Sequence, residues 1–128
     1  MDVCFSNYRA YFGEGYAYSY RFDALVAQYE NYRRLMDHWH REMPGRILDV
    51  SYTALTSDPE AAARVVFDFC DLPFEAGVAD LRRNIAPSAT LSTMQVREGI
   101  HQRARGEWVR YAAHLAPLQQ KLHAAGLL

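Results

Sequence analysis

The stretch Pro44-Gly45-Arg46-Ile47-Leu48-Asp49-Val50-Ser51-Tyr52 decides how this sequence is read. Pro44-Gly45 is a turn signal. Arg46 to Tyr52 then predicts one short strand. Leu48, Val50 and Tyr52 fall on one face at a spacing of two, and Ile47 makes the other face partly apolar. A strand apolar on both faces belongs between neighbours inside a sheet. No other stretch reads as a convincing strand. The expectation is a mostly helical chain whose one clear strand, at about 46–52, needs partners that this chain does not supply.

Upstream, Phe22, Leu25, Val26, Tyr29, Tyr32, Met36, Trp39 and Met43 step at three or four residues. That spacing predicts an amphipathic helix over 23–43, with Asp23 as its N-cap and the Trp39 stripe as core. Before it, Asp2 to Phe12 predicts a short helix, and Tyr16 to Tyr20 an aromatic loop. Downstream, Ser57 or Asp58 caps a helix with Pro59 at its first position and Glu60 in its first turn. Ala62, Val65, Val66 and Phe69 form its apolar face, and Leu72-Pro73 ends it. A shorter helix is expected over 76–84, another over 107–114, and a last one from Pro117. Residues 85–106 show little periodicity, and a loop of that length is usually functional or disordered.

The chain has 128 residues, half of them apolar and 23% charged. It can bury a core and is not a disordered chain. It has the size of one domain, and is short for a complete two-substrate α/β enzyme. The net charge of −1 hides an asymmetry. Residues 1–80 carry seven basic and thirteen acidic residues, whereas residues 81–128 carry seven basic and two acidic ones. A basic tail behind an acidic front points to a local anion site or to a solvated surface facing acidic neighbours. Seven of the nine tyrosines lie in the first 32 residues. Aromatics and arginines thus occupy opposite halves, and the aromatic half is acidic, which argues against nucleic-acid binding.

Cys4 and Cys70 make neither a disulfide framework nor a metal spacing, and both are expected as reduced, buried thiols. His38 and His40, two apart, point to different faces of a helix, so no metal site is expected. No apolar run approaches the ~20 residues of a membrane span. The opening MDVCFSNYR reads as neither signal nor transit peptide. The expected setting is a reducing cytoplasm, without membrane association.

Among motifs, there is no Walker-type loop, no GxGxxG after a strand, no G-x-S-x-G elbow and no Cys/His pair at a recognisable spacing. What remains is an anion-binding set. It combines Ser6, Tyr52 at the end of the strand, and the Ser- and Arg-bearing loop 88–105. Ligands of open α/β sheets bind beyond the C-terminal ends of strands, where Tyr52 would sit.

Read in order, several segments resemble the C-terminal half of a sulfotransferase domain. The nearest pattern is the bacterial type often found behind helical (TPR) repeats, related to protein-tyrosine sulfotransferases. Asp2-Val-Cys-Phe-Ser6 resembles the end of an R-x-P-x-D-x-x-x-S segment, and Tyr32-Arg-Arg-Leu35-Met36-Asp-His38-Trp39 resembles a Y-x-x-L-M-x-H-W helix. Pro44 to Tyr52, then Leu55 and Asp58-Pro59-Glu60, resemble the P-G-x-I-x-x-V-x-Y-E-x-L-V-x-D-P-E strand, turn and helix. Ser92-Thr-Met-Gln95-Val96-Arg97, with Gly106 and Trp108-Val-Arg-Tyr111, resembles an S-x-x-Q-V-R … G-R-W-x-x-Y loop, and His114-Leu115-Ala-Pro117-Leu118 a closing L-x-P-L.

The resemblance implies an α/β, P-loop-type sulfotransferase fold whose N-terminal half is absent here, residues 1–128 being the C-terminal portion of one domain. It implies transfer of a sulfuryl group from 3′-phosphoadenosine 5′-phosphosulfate to a hydroxyl or amine acceptor, with no metal. Ser6 would then bond the 3′-phosphate, as a short hydroxyl near a helix start, and Tyr52 would contact the adenine. Ser92 would sit near the transferring group, and Arg97, Arg103 and Arg105 would line the nucleotide phosphates.

Three departures stand out. Glu107 occupies the position where relatives carry a basic residue before the loop Trp. An acid there repels phosphate, so either Arg103 or Arg105 compensates or the site is weakened. Thr53 replaces the Glu after the tyrosine, and Gly99 replaces a Pro. The 5′-phosphosulfate loop, the catalytic base and the 3′-phosphate arginine would all lie upstream of Met1, itself expected to be an internal methionine of a longer gene. The 128 residues are therefore expected to be inactive alone. The rival expectation is a non-catalytic protein-interaction module or a decayed gene fragment. Either way, a second copy or an upstream domain is expected to cover the strand.

Overall fold

The computed structural model describes residues 1–10, 12–80, 102 and 104–128. They divide into two compact units. The first comprises Met1–Ile47 with Ala104–Leu128, and the second begins at Leu48.

In the first unit, α1 (Asp2–Arg9), α2 (Phe22–Glu42) and α5 (Ala112–Ala124) pack around one small core. Cys4 and Phe5 come from α1, Val26 from α2, and Leu115, Leu118 and Leu122 from α5. Leu118 is fully buried. The spacing of Leu115, Leu118 and Leu122 is what one helix face requires. Pro117 lies inside α5 instead of starting a separate helix. A 3₁₀ helix over Glu107–Tyr111 leads directly into α5, and its Trp108 packs on the core.

The expected aromatic loop is a second 3₁₀ segment, Gly13–Tyr20, kinked at Tyr16. The Tyr20 hydroxyl accepts from Phe12 N and donates to Gly13 O, both at 3.2 Å. Arg21, not Asp23, takes the N-cap position of α2. Asp23 sits in the first turn, with its Oδ1 2.6 Å from Lys121 Nζ of α5.

The apolar stripe of α2 is core only over its first half. Leu25 and Val26 are buried, whereas Tyr32, Leu35, Trp39 and Met43 are exposed, Trp39 at 39%. Helix length explains this. At 1.5 Å per residue α2 runs about 31 Å, against about 12 Å for α1 and about 20 Å for α5. Among the described residues of the first unit, the elements that pack on α2 are shorter than its apolar face.

The expected strand at 46–52 is absent, and no strand occurs among the described residues. Residues 47–51 have no regular structure, and the backbone N–H groups of Ile47, Leu48 and Val50 reach no described acceptor. A strand exists only through a ladder with a neighbour, and no described residue supplies one. Local bonding also wins at its end. Ser51 Oγ accepts from Ala54 N at 3.4 Å, so Tyr52 opens α3 (Tyr52–Ser57) instead of closing a strand.

Asp58 caps α4 (Pro59–Phe69) as expected, its Oδ1 accepting from Ala61 N at 2.9 Å, with Pro59 in the first turn. Of the expected apolar face only Ala62 is buried; Val65 and Phe69 are exposed. The helix ends before Leu72-Pro73. Asp71, at φ 54°, turns the chain left-handed while Leu72 N donates to Phe67 O at 3.0 Å. Within the expected 76–84 helix, the described residues 76–79 form turns only. Cys4 is buried, but Cys70 is exposed, contrary to expectation.

Candidate functional site

Asp2, Ser6 and Arg9 are spaced four and three along α1, so they share one face. Both flanking residues hold the segment that precedes the Trp108 turn. Asp2 Oδ1 accepts from Gly106 N at 2.8 Å. Arg9 Nη1 donates to Glu107 Oε1 at 2.6 Å, and its guanidinium lies 5.4 Å from the Phe5 ring centroid. Gly106 adopts φ 71°, a left-handed conformation that favours glycine. Two consecutive residues from near the far end of the chain are thereby pinned on either side of Ser6.

Glu107 is paired with Arg9, a partner that the sequence reading did not name. Sequence reading missed Arg9 because its partner is 98 residues away; the only signal was its three-residue offset from Ser6. Ser6 itself lies within α1. It is exposed and sits at the fifth residue of α1, beyond the first turn, so it offers a hydroxyl and not a free helix N-terminus.

Arg105 is exposed in the turn before Gly106, within the same unit as Ser6. Tyr52 belongs to the second unit, where its ring is 56% exposed. Ser92, Arg97 and Arg103 lie outside the described residues. No group of three or more His, Cys, Asp or Glu among the described residues could hold a metal ion. No described helix is long and apolar enough to cross a membrane.

Residues 1–76, more than half of the chain, match the model of a family described as the Sulfotransferase family. This chain belongs to the sulfotransferase family. The matched region contains Ser6, the α2 stripe and the Asp58-Pro59-Glu60 cap. Membership carries the P-loop-type fold as the architecture of the family, to which the described helices contribute. The sulfotransferase chain is also 34% identical over 123 residues to an "Uncharacterized protein" of Aquifex aeolicus (strain VF5). That similarity covers 92% of this chain and 16% of the relative, so the chain spans about a sixth of its relative's length. No solved structure matches.

Proposed function

We propose that this sulfotransferase chain supplies the 3′-phosphate side of a site for 3′-phosphoadenosine 5′-phosphosulfate. In this reading Ser6 donates its hydroxyl to the 3′-phosphate, and Arg105 adds a guanidinium to the nucleotide phosphates. Tyr52 contacts the adenine, Arg97 and Arg103 assist with phosphate charge, and Ser92 donates to charge that develops on the transferring sulfuryl group. The acceptor is a hydroxyl or an amine. The 5′-phosphosulfate loop and the catalytic base belong to polypeptide other than these 128 residues.

The observation that carries this reading is the bracket around Ser6. Asp2 and Arg9 bind Gly106 and Glu107, one turn to each side of the serine. Arg105 is next to the pinned residues. Pairing Glu107 with Arg9 removes the acid that would otherwise repel a phosphate.

The test is a titration of the chain with adenosine 3′,5′-bisphosphate, followed by amide NMR. Weak, saturable binding in the millimolar range is expected, with shifts around Ser6 and Arg105 and further weakening in Ser6→Ala. Saturation without any response at Ser6 would sink the assignment. Micromolar affinity of these 128 residues would contradict the division of the site between two stretches of polypeptide.

A second reading has its own support. Tyr32, Leu35 and Trp39 of α2, with Met43 just past its end, are exposed, and large exposed apolar surfaces mark contact sites. As a non-catalytic interaction module, the chain would bind a partner there without recognising the nucleotide. Failure of the bisphosphate to bind, combined with concentration-dependent association in light scattering, would favour that reading.

A further inference from the structure

We infer, resting on the nucleotide site proposed for Ser6 and Arg105, that Asp2 is the positioning residue of that site. It fixes the peptide unit from which Arg105 projects, and so decides where that guanidinium meets an anion held by Ser6.

Gly106 has both of its backbone groups bound. Its N–H donates to Asp2 Oδ1 at 2.8 Å, and its carbonyl accepts from Val109 N at 3.0 Å. Glycine adopts left- and right-handed conformations with nearly equal ease, so these bonds, and not the residue, select φ 71°. The Val109 bond holds the peptide unit that follows Gly106. The Asp2 bond holds the one before it.

That earlier unit carries Arg105. A peptide group is planar from one Cα to the next, so holding the Gly106 N–H also holds the carbonyl and the Cα of Arg105. Arg105 is exposed and lies in a turn, outside any helix that could order it. With its root fixed by Asp2, the backbone entropy of ordering it is lost on folding and not on binding.

Placement points the same way. Asp2 and Ser6 are four residues apart on α1, neighbours on one face at about 5–6 Å between Cβ atoms. An amide bonded to Asp2 is therefore one helical turn from the Ser6 hydroxyl. The flexible stem of Arg105 lets its head group cover that turn.

Charge has the opposite sign. The Asp2 carboxylate is itself an anion on this face, and its charge alone disfavours a phosphate beside it. Positioning and charge thus give contrary expectations. Asparagine keeps an acceptor oxygen for Gly106 N and discards the charge, whereas alanine discards both.

The test titrates the 128-residue chain and its variants with adenosine 3′,5′-bisphosphate, read by amide NMR. Asp2→Asn should bind as tightly as the parent chain or up to about two-fold tighter, and Asp2→Ala about five-fold weaker. Arg105→Ala should cost about five-fold in the parent chain but less than about two-fold when added to Asp2→Ala, because the two residues act as one unit. The Gly106 amide proton should move upfield in Asp2→Ala, while the Leu118 and Leu122 amides stay in place and show that the core is kept. Equal or tighter binding by Asp2→Ala, weakened binding by Asp2→Asn, or fully additive losses would each overturn the positioning role and leave the nucleotide reading standing. Absence of binding to the parent chain would defeat that reading, and the role of Asp2 with it.

Discussion

Arg9 Nη1 and Glu107 Oε1 lie 2.6 Å apart, a pairing that spans 98 residues and joins the first helix to the turn before Trp108. Both side chains are partly exposed, so the pair itself adds on the order of 0.5 kcal/mol to stability. Its larger consequence is electrostatic. Arg9→Ala should leave the Glu107 carboxylate unpaired beside Ser6 and weaken adenosine 3′,5′-bisphosphate about five-fold. Adding Glu107→Gln to that variant should restore most of the affinity. Calorimetric titration of the two variants checks both outcomes; unchanged affinity in Arg9→Ala would remove the neutralising role.

Ser19 is completely buried, and its Oγ has no hydrogen-bond partner among the described residues. A buried hydroxyl without a partner costs about 1–3 kcal/mol relative to a satisfied one. Ser19→Ala should therefore stabilise the chain, by about 1 kcal/mol, as read from the urea midpoint. A loss of stability would mean that the hydroxyl is satisfied in solution.

Leu118 has no exposure and stands at the centre of a core to which the described residues contribute six buried side chains. Leu118→Ala should cost about 3 kcal/mol through lost transfer energy and a residual cavity. Thermal unfolding should move down by several degrees or more. Exposed Leu35→Ala on α2 is the contrasting control, with little change expected in the same scan.

Two left-handed residues give opposite expectations. Gly106, at φ 71°, has open space where a Cβ would go, so Gly106→Ala should cost about 1 kcal/mol from backbone strain alone. Asp71, at φ 54°, carries that strain already. Asp71→Gly should gain a few tenths to about 1 kcal/mol, since glycine suits this helix-ending position. Denaturant titrations of both variants test the pair, and a destabilised Asp71→Gly would contradict the strain argument.

Lys121, through its hydrogen bond and its charge, holds the Asp23 carboxyl below its ordinary range. A depressed folded-state pKa stabilises above the unfolded-state value near 3.9, and that contribution is lost as pH falls through the folded value. Carboxyl NMR should show Asp23 titrating higher in Lys121→Met. Stability near neutral pH should hardly change, because both Asp23 and Lys121 are well exposed. An unchanged Asp23 titration would show that the pair does not persist in solution.

The helices were legible where their signals are local. The three-and-four spacing located α2 to within a residue, and Asp58-Pro59 marked the start of α4, because capping bonds span three residues. The Trp39 half of the stripe misled, since periodicity reports an apolar face but not whether anything covers it. The same limit applied to Val65 and Phe69 on α4.

The candidate site divided along the same line. Ser6 and Tyr52 were found as members of a pattern, whereas Arg9 carried no local mark. The pairing of Arg9 with Glu107 and of Asp2 with Gly106 depends on chain closure across about a hundred residues.

By itself the sequence determined the span of α2, the start of α4 with its Asp58 cap, and the family, all written in spacings of a few residues or in ordered short motifs. Only the tertiary structure decided that 46–52 is not a strand, that half of α2 is uncovered, and that Arg9 answers Glu107. A helix bonds within itself, so its signal is complete in one segment. A strand, a buried face and a long-range ion pair each need a second segment, and sequence periodicity does not say where that segment lies.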